Sequence, residues 1–344
     1  MPAELSVTNN IYSFADSRAR DGRVDAWHRC GTAVGHDMTA QEALEAGHLA
    51  NWNVRKVPLW AELGEGLGTA EVPSRYGVVF DNPVTGKVQP MPATVGERYE
   101  HAQNEALAVF GEAMVDELGQ SNWQTAGSLR GYTQVFLTMF LPSTMELMTR
   151  SGVDVTRFYF ALLNSHDGST AITGLITPVR IVCANTQSAA ISSAVSSFKI
   201  RHTANWADAL QEARRAIGLA FKYEEAFEAE VQRLYAMEMS NNEAMATAEK
   251  LVKLGDAEPG TRAYTMRSNT ADALFDLFTT SDTIAGSIGG TRWGFYNAVT
   301  EYVDHYQGVR GAGGDEAGAR AVRTITAAQS SIGLKADAWR ILAN

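Results

Sequence analysis

Arg130, Arg157, Arg180, Lys199, Arg201 and His202 are interleaved with Tyr132, Tyr159 and Phe198 along one stretch of this chain. Cations beside aromatic rings suit a single-stranded nucleic acid, because the charges track the phosphates while exposed rings stack on bases of any sequence. In this reading the three earlier arginines, Lys199 and Arg201 contact phosphate, Tyr132 and Tyr159 stack, and His202 belongs to the same nucleic-acid-binding set. The competing reading is structural: a sheet whose aromatics are core and whose charges form a solvated rim.

The charge distribution supports looking here. The chain carries a net charge of −10, yet residues 122–203 hold six Lys+Arg against three Asp+Glu. The flanks are acidic, with nine against seventeen over residues 1–121 and fourteen against nineteen over 204–344. A local field still attracts an anion in an acidic protein, because salt screens charges beyond about 8 Å at physiological strength.

Other chemistry finds less support. No G-x-x-x-x-G-K-[ST] loop is present, and Gly311–Gly314 follows a predicted helix rather than a strand, so it reads as a connector. His36-Asp37, His166-Asp167 and Asp304-His305 are neighbours without a His-x-x-x-His or Cys-x-x-Cys spacing beside them, and Asp167-Gly168 explains itself as a turn. Cys183 lies in an apolar run, nineteen residues before His202, and reads as inert packing; Cys30 and Cys183 are expected to be free thiols. No Gly-x-Ser-x-Gly elbow occurs. The sequence therefore assigns no catalytic residue, no metal ligand and no cofactor.

The elements that must position the basic set follow from periodicity. Residues 1–50 read as a polar arm with a short helix over Thr39–Gly47. A strand over Asn51–Trp60 and a hairpin of Arg75–Asp81 with Lys87–Met91 come next, then a helix over Glu97–Leu118. Tyr132–Leu141 alternates as a strand, Arg157–His166 and Ser169–Thr177 form a hairpin through Asp167-Gly168, and Pro178 begins a helix through Asn185–Ala194. Phe198–Arg201 adds a strand. Beyond residue 204 the spacing is helical: Leu210 to Leu234, Asn242–Leu254, Thr270–Thr279, Trp293–Tyr306, Glu316–Ser330 and Leu334–Leu342. The expected fold class is α+β, an antiparallel β-β-β-α core over 51–203 with an N-terminal hairpin and helix and a C-terminal helical region over 204–344.

Trp52–Lys56, Asn164–Ser169, Pro178–Thr186, Lys199–Thr203 and Trp293–His305 together resemble a family known only as phage/plasmid-like protein, a domain of unknown function, in order over roughly residues 25–340. That resemblance implies a mobile-element protein of a bacterial cytoplasm. The β-β-β-α order is also similar to the core of phage single-strand annealing recombinases, which implies rings or filaments that hold single-stranded DNA in a basic outer groove. The acidic total departs from the more basic members of that group.

The function expected is ATP-independent binding and annealing of single-stranded DNA by a homo-oligomeric ring or filament. The alternative is a structural or regulatory phage protein that binds another protein and no nucleic acid. Apolar runs such as Val135–Leu141 are far shorter than the ~18 residues of a membrane helix, and Met1–Ala15 lacks a signal-peptide pattern, so a cytoplasmic protein is expected.

Overall fold

The computed structural model describes residues 5–17, 31–118, 123–180, 185–186, 197–209, 218–307 and 333–344. Cys30, Cys183, the Gly308–Gly314 connector and the helix expected over Glu316–Ser330 lie outside these residues.

The protein is an α+β fold. Its largest sheet follows the order β12-β11-β10-β9-β8-β3-β4, with β13 beside β11. These strands are β3 (Phe14–Asp16), β4 (Thr32–Ala33), β8 (Trp123–Leu129), β9 (Gln134–Thr149), β10 (Gly152–Ser165), β11 (Ile172–Arg180), β12 (Asn185–Thr186) and β13 (Ser197–Ile200). All neighbours are antiparallel except β3 and β4. A second sheet joins β5 (Arg55–Glu62), β6 (Thr69–Asn82) and β7 (Lys87–Gly96), and β1 (Val7–Thr8) pairs with β2 (Ile11–Tyr12).

Alternation in β9 buries both faces of the large sheet. Val135, Leu137 and Met139 join the main core, while Phe136 joins a second cluster with Phe14, Tyr159, Ala161, Leu163 and Leu175. The turn from β10 to β11 is set by Asp167, whose carboxylate accepts the Ser169 N–H at 2.8 Å, and by Gly168 at φ +73°. After the short helix α1 (Ala40–Ala46), helix α2 (Asn104–Leu118) lies close on the sheet because Gly111 has no side chain: a Cβ there would stand 2.3 Å from the Trp123 indole.

Several boundaries differ from the periodicity reading. The strand expected from Asn51 begins at Arg55, since Asn51 and Asn53 have positive φ (59° and 44°) and break extended pairing. Residues 97–103 precede α2 rather than belong to it. There the Gln103 carboxamide accepts from Val54 N at 2.9 Å and donates to Val54 O at 2.8 Å, imitating a strand neighbour. Pro178 lies inside β11 and Asn185–Thr186 form β12, while residues 187–194 of the helix expected there lie outside the described residues. Pro178 falls between the residues that pair with β13 and those that pair with β12, where a missing N–H costs no ladder bond on that side. Strands β1 to β4 and β8 carry no periodicity signal long enough to find.

Among the described residues the helical half follows its 3.6-residue periodicity closely. It comprises α3 (Gly218–Ala236), α4 (Asn241–Leu251), α5 (Arg262–Thr280), α6 (Arg292–Glu301), a π turn over Tyr302–Tyr306, and α7 (Leu334–Ala343). Every residue of α6 from Trp293 to Glu301 is buried, so it forms the inner helix of this layer. Phe227 of α3 stacks on Trp339 of α7 at 5.7 Å and meets Phe158 of β10 edge-on at 5.7 Å, so the apolar core runs from sheet to helices without a break.

Candidate functional site

The cations singled out in sequence do not come together. Arg157 lies well along β10 and Arg180 ends β11, whereas Lys199, Arg201 and His202 lie at the opposite end, beside the β10–β11 turn. The eight steps from Arg157 to Ser165 span roughly 26 Å of extended chain. The Arg157 guanidinium sits over the Phe140 ring, 5.1 Å from its centroid. Arg130 occupies the exposed β8–β9 turn with φ +54°. Tyr132 and Tyr159 are 4% and 5% exposed, so neither ring offers a stacking face: Tyr132 packs on Trp52 and Phe80, and Tyr159 on Phe140. His202 is buried as well.

His202 belongs instead to a cluster that sequence spacing does not reveal. It joins His166 of the β10–β11 turn and His101 of the segment before α2. Tyr99 links the three, stacking on His202 at 4.7 Å and meeting His101 edge-on at 4.9 Å, while His101 and His166 stand 5.9 Å apart between ring centres. The Tyr99 hydroxyl donates to the Ser165 carbonyl, and burial pushes its pKa up. Lys56 secures the segment from below, donating to the carbonyls of Glu97 at 2.8 Å and Tyr99 at 2.7 Å.

The hydrogen bonds fix two tautomers. Asn104 donates its Nδ2 to the Leu49 carbonyl at 2.8 Å, which turns its Oδ1 toward His166 Nε2 at 3.3 Å. Since that oxygen only accepts, His166 carries its proton on Nε2 and keeps a lone pair on Nδ1. His202 Nδ1 faces the Glu100 carbonyl at 3.2 Å, so its lone pair is on Nε2. His166 Nδ1, His202 Nε2 and both nitrogens of His101 are buried with no hydrogen-bond partner among the described residues.

Burial lowers all three pKa values, because the charged imidazolium is the form that loses most on leaving water. His166 falls to about 3, with His101 and His202 adding repulsion. His101 falls to about 4 from burial, then His202 and Lys56. His202 falls to about 4 despite the opposing Glu100 carbonyl and Asp167 carboxylate. Such groups are weak bases at neutral pH and poorly matched to proton transfer. The Ser165 hydroxyl is committed to the turn, donating to Thr170 O at 2.7 Å, so it is no nucleophile for them.

Exposed cations lie on the segments that meet this cluster. Arg75 of β6 lies opposite Gly96 of β7, Arg98 follows two residues later, and the Glu100 N–H donates to the His202 carbonyl at 3.3 Å, which places the segment of Arg201 and Lys199 beside that of Arg98. Among the described residues none of these four pairs with a carboxylate, although exposed Glu97 and Glu100 lie on the same segment as Arg98. Trp60, 59% exposed, pairs across the β5–β6 ladder with exposed Glu71, beyond the bulge that follows Pro58 and its partner Tyr76. Arg75, Arg98 and Trp60 were not legible as a set, since they fall in the acidic N-terminal third.

No curated protein and no solved structure matches the chain. One family's sequence profile matches residues 93–329, a span that holds β8 to β13, all three clustered histidines, Arg98, Lys199 and Arg201. The chain therefore belongs to the family described as a domain of unknown function, DUF932.

Proposed function

We propose that this chain binds single-stranded DNA along Arg75, Arg98, Arg201 and Lys199 and promotes pairing of complementary strands, as a phage- or plasmid-type protein of a bacterial cytoplasm. The observation that carries the reading is four exposed cations that pair with no carboxylate among the described residues, in a protein of net charge −10. Exposed Trp60 replaces the buried tyrosines as the ring able to stack on a base. Annealing asks for positioning and charge rather than a reacting side chain, so the reading needs no catalytic group. Homo-oligomerisation in a ring or filament would multiply weak contacts into avidity along one strand.

Fluorescence anisotropy with a labelled oligonucleotide at low and moderate salt tests this directly, run beside size-exclusion chromatography with light scattering. Binding that weakens as salt rises is expected. Absence of binding at low salt, in monomeric and assembled fractions alike, would overturn it. A protein-docking role is favoured by a different observation: the β5–β6 tip exposes Leu63 and Leu67 between Glu62, Glu65 and Glu71. Capture of oligonucleotide by variants lacking that tip separates the two readings.

A further inference from the structure

We propose that the β5–β6 hairpin is an assembly arm that docks on the β9–β10 turn of a second copy of this chain. The inference rests on the homo-oligomer part of the reading above and needs no DNA. From Arg55 to Gly77 no residue is buried. Strand β7 joins β6 only from Arg75, opposite Gly96, so the ladder of Trp60–Glu62 with Thr69–Glu71 has no third strand among the described residues. A two-stranded ribbon with neither face covered is marginal in water and gains stability when something packs on it. Its turn nevertheless has a set shape: the Leu63 N–H donates to the Gly68 carbonyl at 3.0 Å and the Leu67 N–H to that of Gly64 at 3.2 Å. Leu63 and Leu67 are 51% and 71% exposed there.

Charge selects the occupant. Residues 57–74 carry Glu62, Glu65 and Glu71 and no lysine or arginine. Two such arms repel each other, so the leucines call for a surface that is apolar and cationic. The β9–β10 turn is one. Met148 and Val153, 71% and 50% exposed, are cross-strand partners and form a single apolar spot. Exposed Arg150 lies in the turn between them, the only charged residue from Leu147 to Val153, and pairs with no carboxylate among the described residues. Exposed Glu146, opposite Val155, lies farther along β9 and opposes part of the attraction.

Both patches are exposed within one chain, so they do not cover each other there. The arm leaves from the joint between the sheets, where Lys56 donates to the Tyr99 carbonyl and Tyr99 to that of Ser165, the last residue of β10. The β9–β10 turn lies at the other end of that strand, which is 14 residues and roughly 45 Å long. Unlike surfaces on different elements make a heterologous contact, so each copy holds one neighbour by its arm and another by its turn, as a ring or filament requires. One contact between two hairpin turns is small and therefore weak by itself.

The test uses the full chain without oligonucleotide, so its result stands apart from that of DNA binding. Sedimentation velocity at low salt should show species larger than a dimer that grow with protein concentration and dissociate as salt rises. Leu63→Ser with Leu67→Ser removes the arm's contact, and Met148→Ser with Arg150→Glu removes that of the turn. All four positions are exposed, so circular dichroism should stay native. Each variant alone should sediment as one chain. Mixed in equal amounts the two should form a dimer and nothing larger, because one keeps the turn and the other keeps the arm. A wild type that is monomeric throughout, as expected of an arm that serves a foreign protein, would overturn the proposal. So would assembly that stops at dimers, assembly that survives either variant, or a mixture that does not pair.

Discussion

His166 Nε2 lies 3.3 Å from Asn104 Oδ1, and Asn104 in turn donates to the Leu49 carbonyl at 2.8 Å. One side chain at the start of α2 thereby ties the β10–β11 turn to the segment that leads into the three-stranded sheet. The joint between the two sheets is built on neutral imidazole, which makes it sensitive to acid.

The sign follows from the lowered values, about 3 for His166 and about 4 for His101 and His202 against an ordinary 6.5. Above pH 6.5 the three are neutral in folded and unfolded chains alike, and their contribution is fully present. As pH falls from 6.5 toward about 4, the unfolded chain takes up protons that the folded chain refuses, so stability drops. For wholly buried His166 the slope is about 1.4 kcal/mol per pH unit. Melting temperatures measured across this window should fall with pH, and His101→Gln should flatten the curve. A wild-type melting temperature that does not change would contradict the cluster.

Phe227 is fully buried between Phe158, Trp293 and Trp339. Phe227→Ala removes the ring that joins sheet to helices and should cost ~3–5 kcal/mol. Urea denaturation measures it; a midpoint equal to wild type would show that the face is not packed as described.

The Lys335 ammonium donates to Asp304 at 2.6 Å with both side chains buried. Lys335→Ala removes the ammonium from a buried carboxylate beside the π turn and should destabilise by ~3–5 kcal/mol. Lys335→Met combined with Asp304→Leu should cost clearly less than the two single changes summed, because neither charge is then left behind. Additive losses in chemical denaturation would deny that the two act as a pair.

For nucleic-acid binding, each lost phosphate contact to a single strand should flatten the slope of log affinity against log salt by ~0.7. Lys199→Ala with Arg201→Ala should reduce it by ~1.4, and adding Arg98→Ala by a further ~0.7. Lys250→Ala with Lys253→Ala, at the end of α4, should change neither slope nor affinity. Equal loss in both sets would place the DNA elsewhere on the protein.

How much of this was legible in sequence depended on whether the signal was local. The α+β class, the Asp167-Gly168 turn, the β6–β7 hairpin and helices α4 to α7 follow from periodicity and turn chemistry, which act between residues a few positions apart. Pro178 misled because a proline inside a strand is tolerated only where a neighbouring strand leaves a gap, and the gap between β13 and β12 is a property of the assembled sheet.

The site divided in the same way. The chain's own order showed that residues 122–203 are its one segment with more Lys+Arg than Asp+Glu, and Lys199 and Arg201 are indeed exposed. Alternation along a strand names two faces without saying whether either is covered, so it could not show that Tyr132 and Tyr159 are core. Only the fold brought His101, His166 and His202, from three separate segments, into one buried cluster and laid the segment of Arg98 beside that of Arg201. Those contacts join segments far apart along the chain. Their energy comes from burial and from hydrogen bonds across the two sheets, which no local spacing encodes.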